Sequence, residues 1–121
     1  MINAVHALMY VKDADAARRF FKETLGWPSV DAGEGWLIFA LPPGEMGVHP
    51  AENGDENGSY ELYLMCDDVA KTIGELERKG VEVVDPIADR GWGLVTSIRI
   101  PGGTKMGLYQ PRHPTAHTKR R

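Results

Sequence analysis

The second half of the chain repeats the pattern of the first, and no other feature narrows the possible folds as much. Residues 6–13 and 61–68 are both apolar runs closed by aspartate, and each leads into a stretch with apolar residues at helical spacing. Ala16, Ala17, Phe20, Phe21, Thr24 and Leu25 form one stripe, and Val69, Thr72, Ile73 and Leu76 form the other, so each helix buries one face. Asp13 or Asp15 can cap the first helix and Asp68 the second, because a carboxylate accepts from the orphan amides of a first turn. Gly26 and Gly80 stand where each helix should stop. Weak strands over 29–32 and 81–84 come next. Gly35 and Trp36 then open an apolar run, 37–41, that ends at Pro42, Pro43 and Gly44. Gly91 and Trp92 open another, 94–100, that ends at Pro101, Gly102 and Gly103. Finally Met46, Gly47 and Val48 match Met106, Gly107 and Leu108. Each half reads strand, helix, then three strands. The expected fold class is therefore α+β, built from two βαβββ modules over about 1–50 and 59–111, joined by a polar loop at 50–58. A basic, flexible tail is expected at 112–121.

Composition removes several functional classes. A length of 121 residues is that of one domain, and 42% hydrophobic with 26% charged residues is an ordinary globular balance. The formal net charge of −3 lacks the basic excess of a nucleic-acid binder. The single Cys66 excludes an internal disulfide and a multi-cysteine zinc site. No apolar run has the length of a membrane span, so no membrane role is expected. The N-terminus lacks the basic start and apolar core of a secretory signal, so a cytoplasmic location is expected.

Side chains alternate across a strand, which sorts the first strand of each half into two faces. His6, Leu8 and Tyr10 share one face, opposite Val5, Ala7, Met9 and Val11. In the matching strand Glu61, Tyr63 and Met65 oppose Leu62, Leu64 and Cys66. The wholly apolar faces belong under the helices, with Cys66 as filling. The mixed faces put His6 and Glu61 in equivalent positions. An unpaired charge is costly in a dry core, so these two point to a wet or ligand-binding cavity, to a mutual ion pair, or to a hydrated face. Tyr10, Tyr63 and Tyr109 share the inward faces and combine an apolar body with a hydroxyl. Trp92, in a glycine-flanked turn, can stack on a flat ligand, and Arg99 can anchor a carboxylate or phosphate. His113 and His117 read as tail residues without a role.

Several stretches carry a resemblance: residues 6–13; Phe20, Phe21, Leu25, Gly26 and Trp27; residues 66–69; Leu76, Gly80 and Val81; and the ending at 101–103 and 107–111. Over about 1–111 the chain resembles the vicinal oxygen chelate superfamily, which includes glyoxalase I, extradiol dioxygenases and the bleomycin-resistance binding proteins. The resemblance implies paired βαβββ modules whose curved mixed sheet surrounds a cavity, and a homodimer. In the superfamily's enzymes it also implies one divalent metal (iron, manganese, zinc or nickel) held by the first and last strands of each module. Those positions fall here on His6, Gly47, Glu61 and Gly107, so two of the four carry no side chain. His49 lies two residues beyond Gly47, and with His6 and Glu61 it would make a set of two histidines and one carboxylate. The resemblance thus implies a protein that binds a small organic molecule, with Tyr10, Tyr63, Trp92, Arg99 and Tyr109 lining the cavity and an incomplete metal site. Its alternative is a divalent-metal-dependent lyase, isomerase or dioxygenase using His6, Glu61 and His49; no catalytic residue is assigned.

Overall fold

Local signals in the sequence start and stop the helices. The computed structural model describes residues 6–9, 11, 13–45, 47 and 60–118. Helix α1 (Ala14–Arg19) begins where the Asp13 carboxylate accepts from the Ala16 amide at 3.0 Å. It runs on into a π-helical turn, Phe20–Thr24, closed by Leu25 N–H to the Phe20 carbonyl at 3.1 Å. Both Phe20 and Phe21 are buried there. Helix α2 (Val69–Arg78) is capped by Asp68, which accepts from the Lys71 amide at 3.0 Å. Past the helical segments Gly26 and Gly80 take φ of 72° and 84°, a conformation that a Cβ would disfavour.

The first half contributes a small hairpin. Strand β1 (Ser29–Asp31) pairs antiparallel with β2 (Leu37–Phe39), Val30 opposite Ile38. The second half builds a four-stranded sheet from β3 (Tyr63–Met65), β4 (Ala88–Asp89), β5 (Gly93–Arg99) and β6 (Lys105–Pro111), in the order β3-β6-β5-β4. Strand β3 runs parallel to β6, so the first strand of this half lies beside its last. The other pairs are antiparallel.

Two stretches differ from the sequence reading. The strand expected over 81–84 contributes only a bridge from Val83 to Ile98, flanked by hydrogen bonds from Arg99 N–H to the Glu82 carbonyl and from Val84 N–H to the Ser97 carbonyl, each 2.9 Å. The ladder resumes at β4, after Asp85, Pro86 and Ile87. Proline has no amide to donate, and Asp85 is engaged by the hydroxyls of Thr96 and Ser97, so the strand is interrupted there. The described residues of the expected first strand, 6–9, 11 and 13, form no ladder, and His6 to Met9 are exposed. The second half shows what such a strand requires, since β3 is held by the last strand of its own half. The counterpart in the first half, residues 46–49, lies almost wholly outside the described residues.

Both helical segments feed one core cluster: Ala17, Phe20 and Phe21 with Val69, Leu76, Val81, Ile98, Ile100, Met106 and Leu108. Leu64 and Cys66 pack against it, as expected for the face beneath a helix. Ile98, Ile100 and Val69 are fully buried, each worth about 1.5–3 kcal/mol relative to exposure. The Phe21 ring stacks on Trp27 at 5.1 Å and meets Phe39 edge-on at 5.8 Å, which ties the hairpin to the helix. Among the described residues no helix is long and apolar enough to cross a membrane.

Candidate ligand-binding site

Residues opposite one another in a ladder share a face, so the register decides what the sheet presents away from the core. Thr96 and Ile98 of β5, with Leu108 and Met106 of β6, lie on the core side. Gly93, Val95, Ser97 and Arg99, with Pro111, Tyr109, Gly107 and Lys105, lie on the other. Strand β3 adds Tyr63 beside Gly107 and Met65 beside Tyr109. On this open side three rings meet edge to face. Ring centroids are 5.7 Å apart for Tyr63 and Tyr109, 6.0 Å for Tyr63 and Trp92, and 5.2 Å for Trp92 and Tyr109. Tyr109 is buried at 8% exposure, whereas Tyr63 at 37% and Trp92 at 44% present apolar surface to solvent.

Two glycines seat these rings. A Cβ on Gly107 would lie 2.2 Å from Cδ1 and 2.5 Å from Cε1 of Tyr63. A Cβ on Gly93 would lie 2.8 Å from Cδ2 of Tyr109 and 2.9 Å from the Gln110 carbonyl oxygen. Neither glycine has a left-handed backbone, so the constraint is space rather than conformation. The Tyr63 ring fills the volume that any side chain at position 107 would need.

Polar groups frame the rings. The Tyr63 hydroxyl donates to Oε2 of Glu61 at 2.8 Å. That bond to a carboxylate, with burial added, pushes the Tyr63 phenol above its ordinary value, and burial does the same to Tyr109. Nδ1 of His113 faces the Pro114 carbonyl at 2.7 Å, a partner that only accepts. In the neutral imidazole Nδ1 therefore carries the proton, and Nε2 accepts from the Tyr109 hydroxyl at 3.2 Å. Beside β4 lies a groove of about 350 Å³ that includes Asp85, Ala88, Arg90, Val95, Thr96 and Lys105 and is lined by none of the three rings. Asp85 accepts from the Ser97 hydroxyl and from Lys105 Nζ, and these bonds hold its carboxyl below the usual range.

The residues expected to line a cavity are distributed unevenly. Tyr63, Trp92 and Tyr109 come together. Arg99 sits at the end of β5, where it donates to the Gly103 carbonyl at 2.7 Å and pairs with Glu82 at 3.6 Å, bracing the β5–β6 turn. Tyr10 and His49 lie outside the described residues. Cys66 is half-buried with Sγ 3.5 Å from the Tyr109 carbonyl, and burial pushes its thiol up, as suits filling rather than a nucleophile. The sequence reading missed Glu45, His113 and His117. The Glu45 carboxylate accepts from the Ala116 amide at 2.8 Å, the His117 amide at 3.3 Å and His117 Nδ1 at 3.1 Å, and His113 Nε2 stands 3.9 Å away. These bonds, the His117 side chain first, hold the Glu45 carboxyl below its usual range. Residues 112–118, read from sequence as solvated tail, are therefore pinned at Glu45. No periodicity or motif links a glutamate to histidines some 70 positions on.

The metal that the resemblance implies can be tested against these residues. Gly107 offers no donor, and the Tyr63 ring fills the space where one would be. Oε2 of the Glu61 carboxylate already accepts from the Tyr63 hydroxyl. His6 is exposed. Among the described residues no group of three or more His, Cys, Asp or Glu is arranged to hold an ion. The donors described here do not fit the metal site of the superfamily's enzymes.

A helix-backed, four-stranded sheet with an open aromatic face, together with a separate two-stranded hairpin, defines a small α+β fold. The chain belongs to the Glyoxalase/Bleomycin resistance protein/Dioxygenase superfamily, whose family model matches residues 3–108. Solved structures agree. TnmS3, an antibiotic binding protein from Streptomyces sp. CB03234, is 28% identical with a TM-score of 0.60, the match covering 92% of this chain and 99% of that one. A superfamily member from Sphaerobacter thermophilus is 24% identical with a TM-score of 0.61, covering 90% and 98%. Lactoylglutathione lyase from Agrobacterium tumefaciens is 19% identical with a TM-score of 0.61, covering 90% and 94%, a likeness of fold alone. No curated protein matches the sequence.

Proposed function

We propose that this glyoxalase/bleomycin-resistance-like protein binds a flat aromatic molecule against Tyr63, Trp92 and Tyr109, without a metal at position 107. The observation that carries this reading is the Tyr63 ring lying over Gly107: the place where the superfamily's enzymes put a metal ligand is occupied by an aromatic surface. Two half-exposed rings, Tyr63 and Trp92, packed on the buried Tyr109 with a carboxylate and an imidazole at their edges, are a common makeup of a small-molecule site. The likeness to an antibiotic-binding protein supports binding over turnover. Arg90 and Lys105 at the groove supply cations for a polar substituent. Tyr10, outside the described residues, remains a further proposed lining residue, whereas the guanidinium of Arg99 is engaged at the β5–β6 turn. The alternative of a metal-dependent lyase, isomerase or dioxygenase through His6, Glu61 and His49 is tested by elemental analysis of protein purified without chelator. Stoichiometric iron, manganese, zinc or nickel, lost in His6→Ala, would overturn the metal-free reading.

Binding is tested by calorimetric screening of naphthalene-, acridine- and quinone-type compounds, followed by Trp92→Ala. Trp92 is half-exposed, so its removal should leave the fold intact while weakening a stacked ligand about tenfold or more. Ligands that bind Trp92→Ala and Tyr63→Ala as tightly as the parent chain would refute the reading. We also propose a homodimer, which Val30 at 65% and Trp36 at 55% exposure support as apolar surface in need of cover. Sedimentation equilibrium measures it directly.

A further inference from the structure

The segment 112–118, which follows β6, stays against the molecule. Its start is tied to the second half: Arg112 N–H donates to the Trp92 carbonyl at 2.9 Å, and its guanidinium meets Asp89 at 2.5 Å. Its middle places the His113 ring 6.0 Å from the Tyr109 ring, tilted by 32°. Its far end is held by Glu45, which belongs to the first half and gathers three donors from Ala116 and His117. The segment thus bridges the two halves beside the aromatic cluster, and Glu45 is the clip.

We infer that residues 112–118 form a fourth wall of the aromatic site, clipped by Glu45, and that this wall presents His113 Nε2 as a hydrogen-bond acceptor selecting aromatic ligands that carry a hydroxyl. The inference rests on the binding reading above. The tautomer supplies the chemistry. With Nδ1 committed to the Pro114 carbonyl, Nε2 can only accept while the imidazole is neutral, and its present donor is the hydroxyl of Tyr109. A ligand hydroxyl arriving over the rings can enter between them, donating to Nε2 while its oxygen accepts from the Tyr109 hydroxyl, so that one hydrogen bond is gained rather than exchanged. His113 is part-buried at 31% side-chain exposure, so the acceptor is reachable and the bond is not made in bulk water.

Two measurements judge the wall and the acceptor separately. Trypsin cleavage after Arg112, followed by mass spectrometry, reports the clip without any ligand. The parent chain should be cut there about tenfold more slowly than Glu45→Ala; equal rates would overturn the clip. NMR shift titration with 2-naphthol and 2-methoxynaphthalene reports the acceptor, because the two share a ring system and only the first donates. The parent should bind 2-naphthol about 5–10-fold more tightly, as one hydrogen bond allows, and His113→Phe, which keeps a flat ring, should bind both alike. A preference that survives in His113→Phe would overturn the acceptor role while leaving aromatic binding intact. Failure of both naphthalenes to bind the parent would overturn the ligand-selecting role together with the binding reading, whatever the trypsin result.

Discussion

Replacing Gly107 by alanine tests the packing on which the functional reading rests. The added methyl would sit 2.2 Å from Cδ1 and 3.0 Å from Cγ of Tyr63. The Cγ contact is near the root of the side chain, so a small tilt of the ring does not relieve it; the whole ring must swing to another rotamer. In doing so it leaves two edge-to-face partners, Tyr109 and Trp92, each worth about 0.5–1.5 kcal/mol. The bond to Glu61 is also lost, but it is exposed and adds little. The expected destabilisation is about 2 kcal/mol, which for a domain of this size lowers Tm by roughly 6–12 °C. The intrinsic effect has the opposite sign, since glycine in a strand is less favourable than alanine by about 0.5–1 kcal/mol. A double-mutant cycle separates the two. With Tyr63→Ala already in place the clash is gone, so Gly107→Ala should be neutral or mildly stabilising. Thermal and urea unfolding followed by circular dichroism measure all four corners. Equal destabilisation in both backgrounds, or less than about 0.5 kcal/mol in the parent, would show that the ring does not claim this space.

Further expectations follow from the same contacts. Gly93→Ala drives a methyl to 2.9 Å from the backbone carbonyl of Gln110, which cannot swing away, so it should destabilise by about 1–3 kcal/mol; an unchanged melting curve would contradict the packing. Asp68→Ala removes the cap of α2 and should lower stability by about 1 kcal/mol, read as a lower urea midpoint at constant m, with Asp68→Asn retaining most of the stability. The phenols of Tyr63 and Tyr109 are raised in the folded protein. The stability they contribute is complete below the ordinary tyrosine value of about 10 and is lost as pH climbs past it. Titration at 295 nm should show late ionisation that Tyr63→Phe reduces. Glu45, Asp85 and Asp89 are lowered instead, so their contribution is present above the usual carboxylate range of about 4 and disappears as pH falls through their lower folded values. Acid unfolding of Glu45→Gln should begin from a lower plateau and show a shallower pH dependence.

Much of this molecule is written in local signals. Asp13, Asp68, Gly26 and Gly80 mark the helix ends because capping and left-handed turns depend on residues next to one another in the chain. The apolar stripe of α2 and the alternation in β3 and β6 placed Leu64, Cys66 and Leu108 toward the core and Tyr63 and Tyr109 away from it, since both periods follow from backbone geometry. The duplication led to the superfamily. The interruption of the strand at 81–84 was legible only in part. Pro86 signals it, but the two hydroxyls that hold Asp85 come from β5 and depend on register.

The sequence by itself determined the two helices with their caps, the hairpin, the paired strands that close the second half, the buried stripes and the absence of a side chain at Gly47 and Gly107. Only the tertiary structure decided what stands in the place of the missing side chain at Gly107. The parallel pairing of β3 with β6 brings Tyr63, 44 positions earlier in the chain, across that glycine. It also decided that Glu45 should hold His117. Such contacts join residues far apart in the chain, and their energies depend on distances that exist only once the sheet has closed. Helix and strand periods follow from the backbone alone, whereas a ring over a glycine or a carboxylate on a distant imidazole follows from where the backbone finally lies.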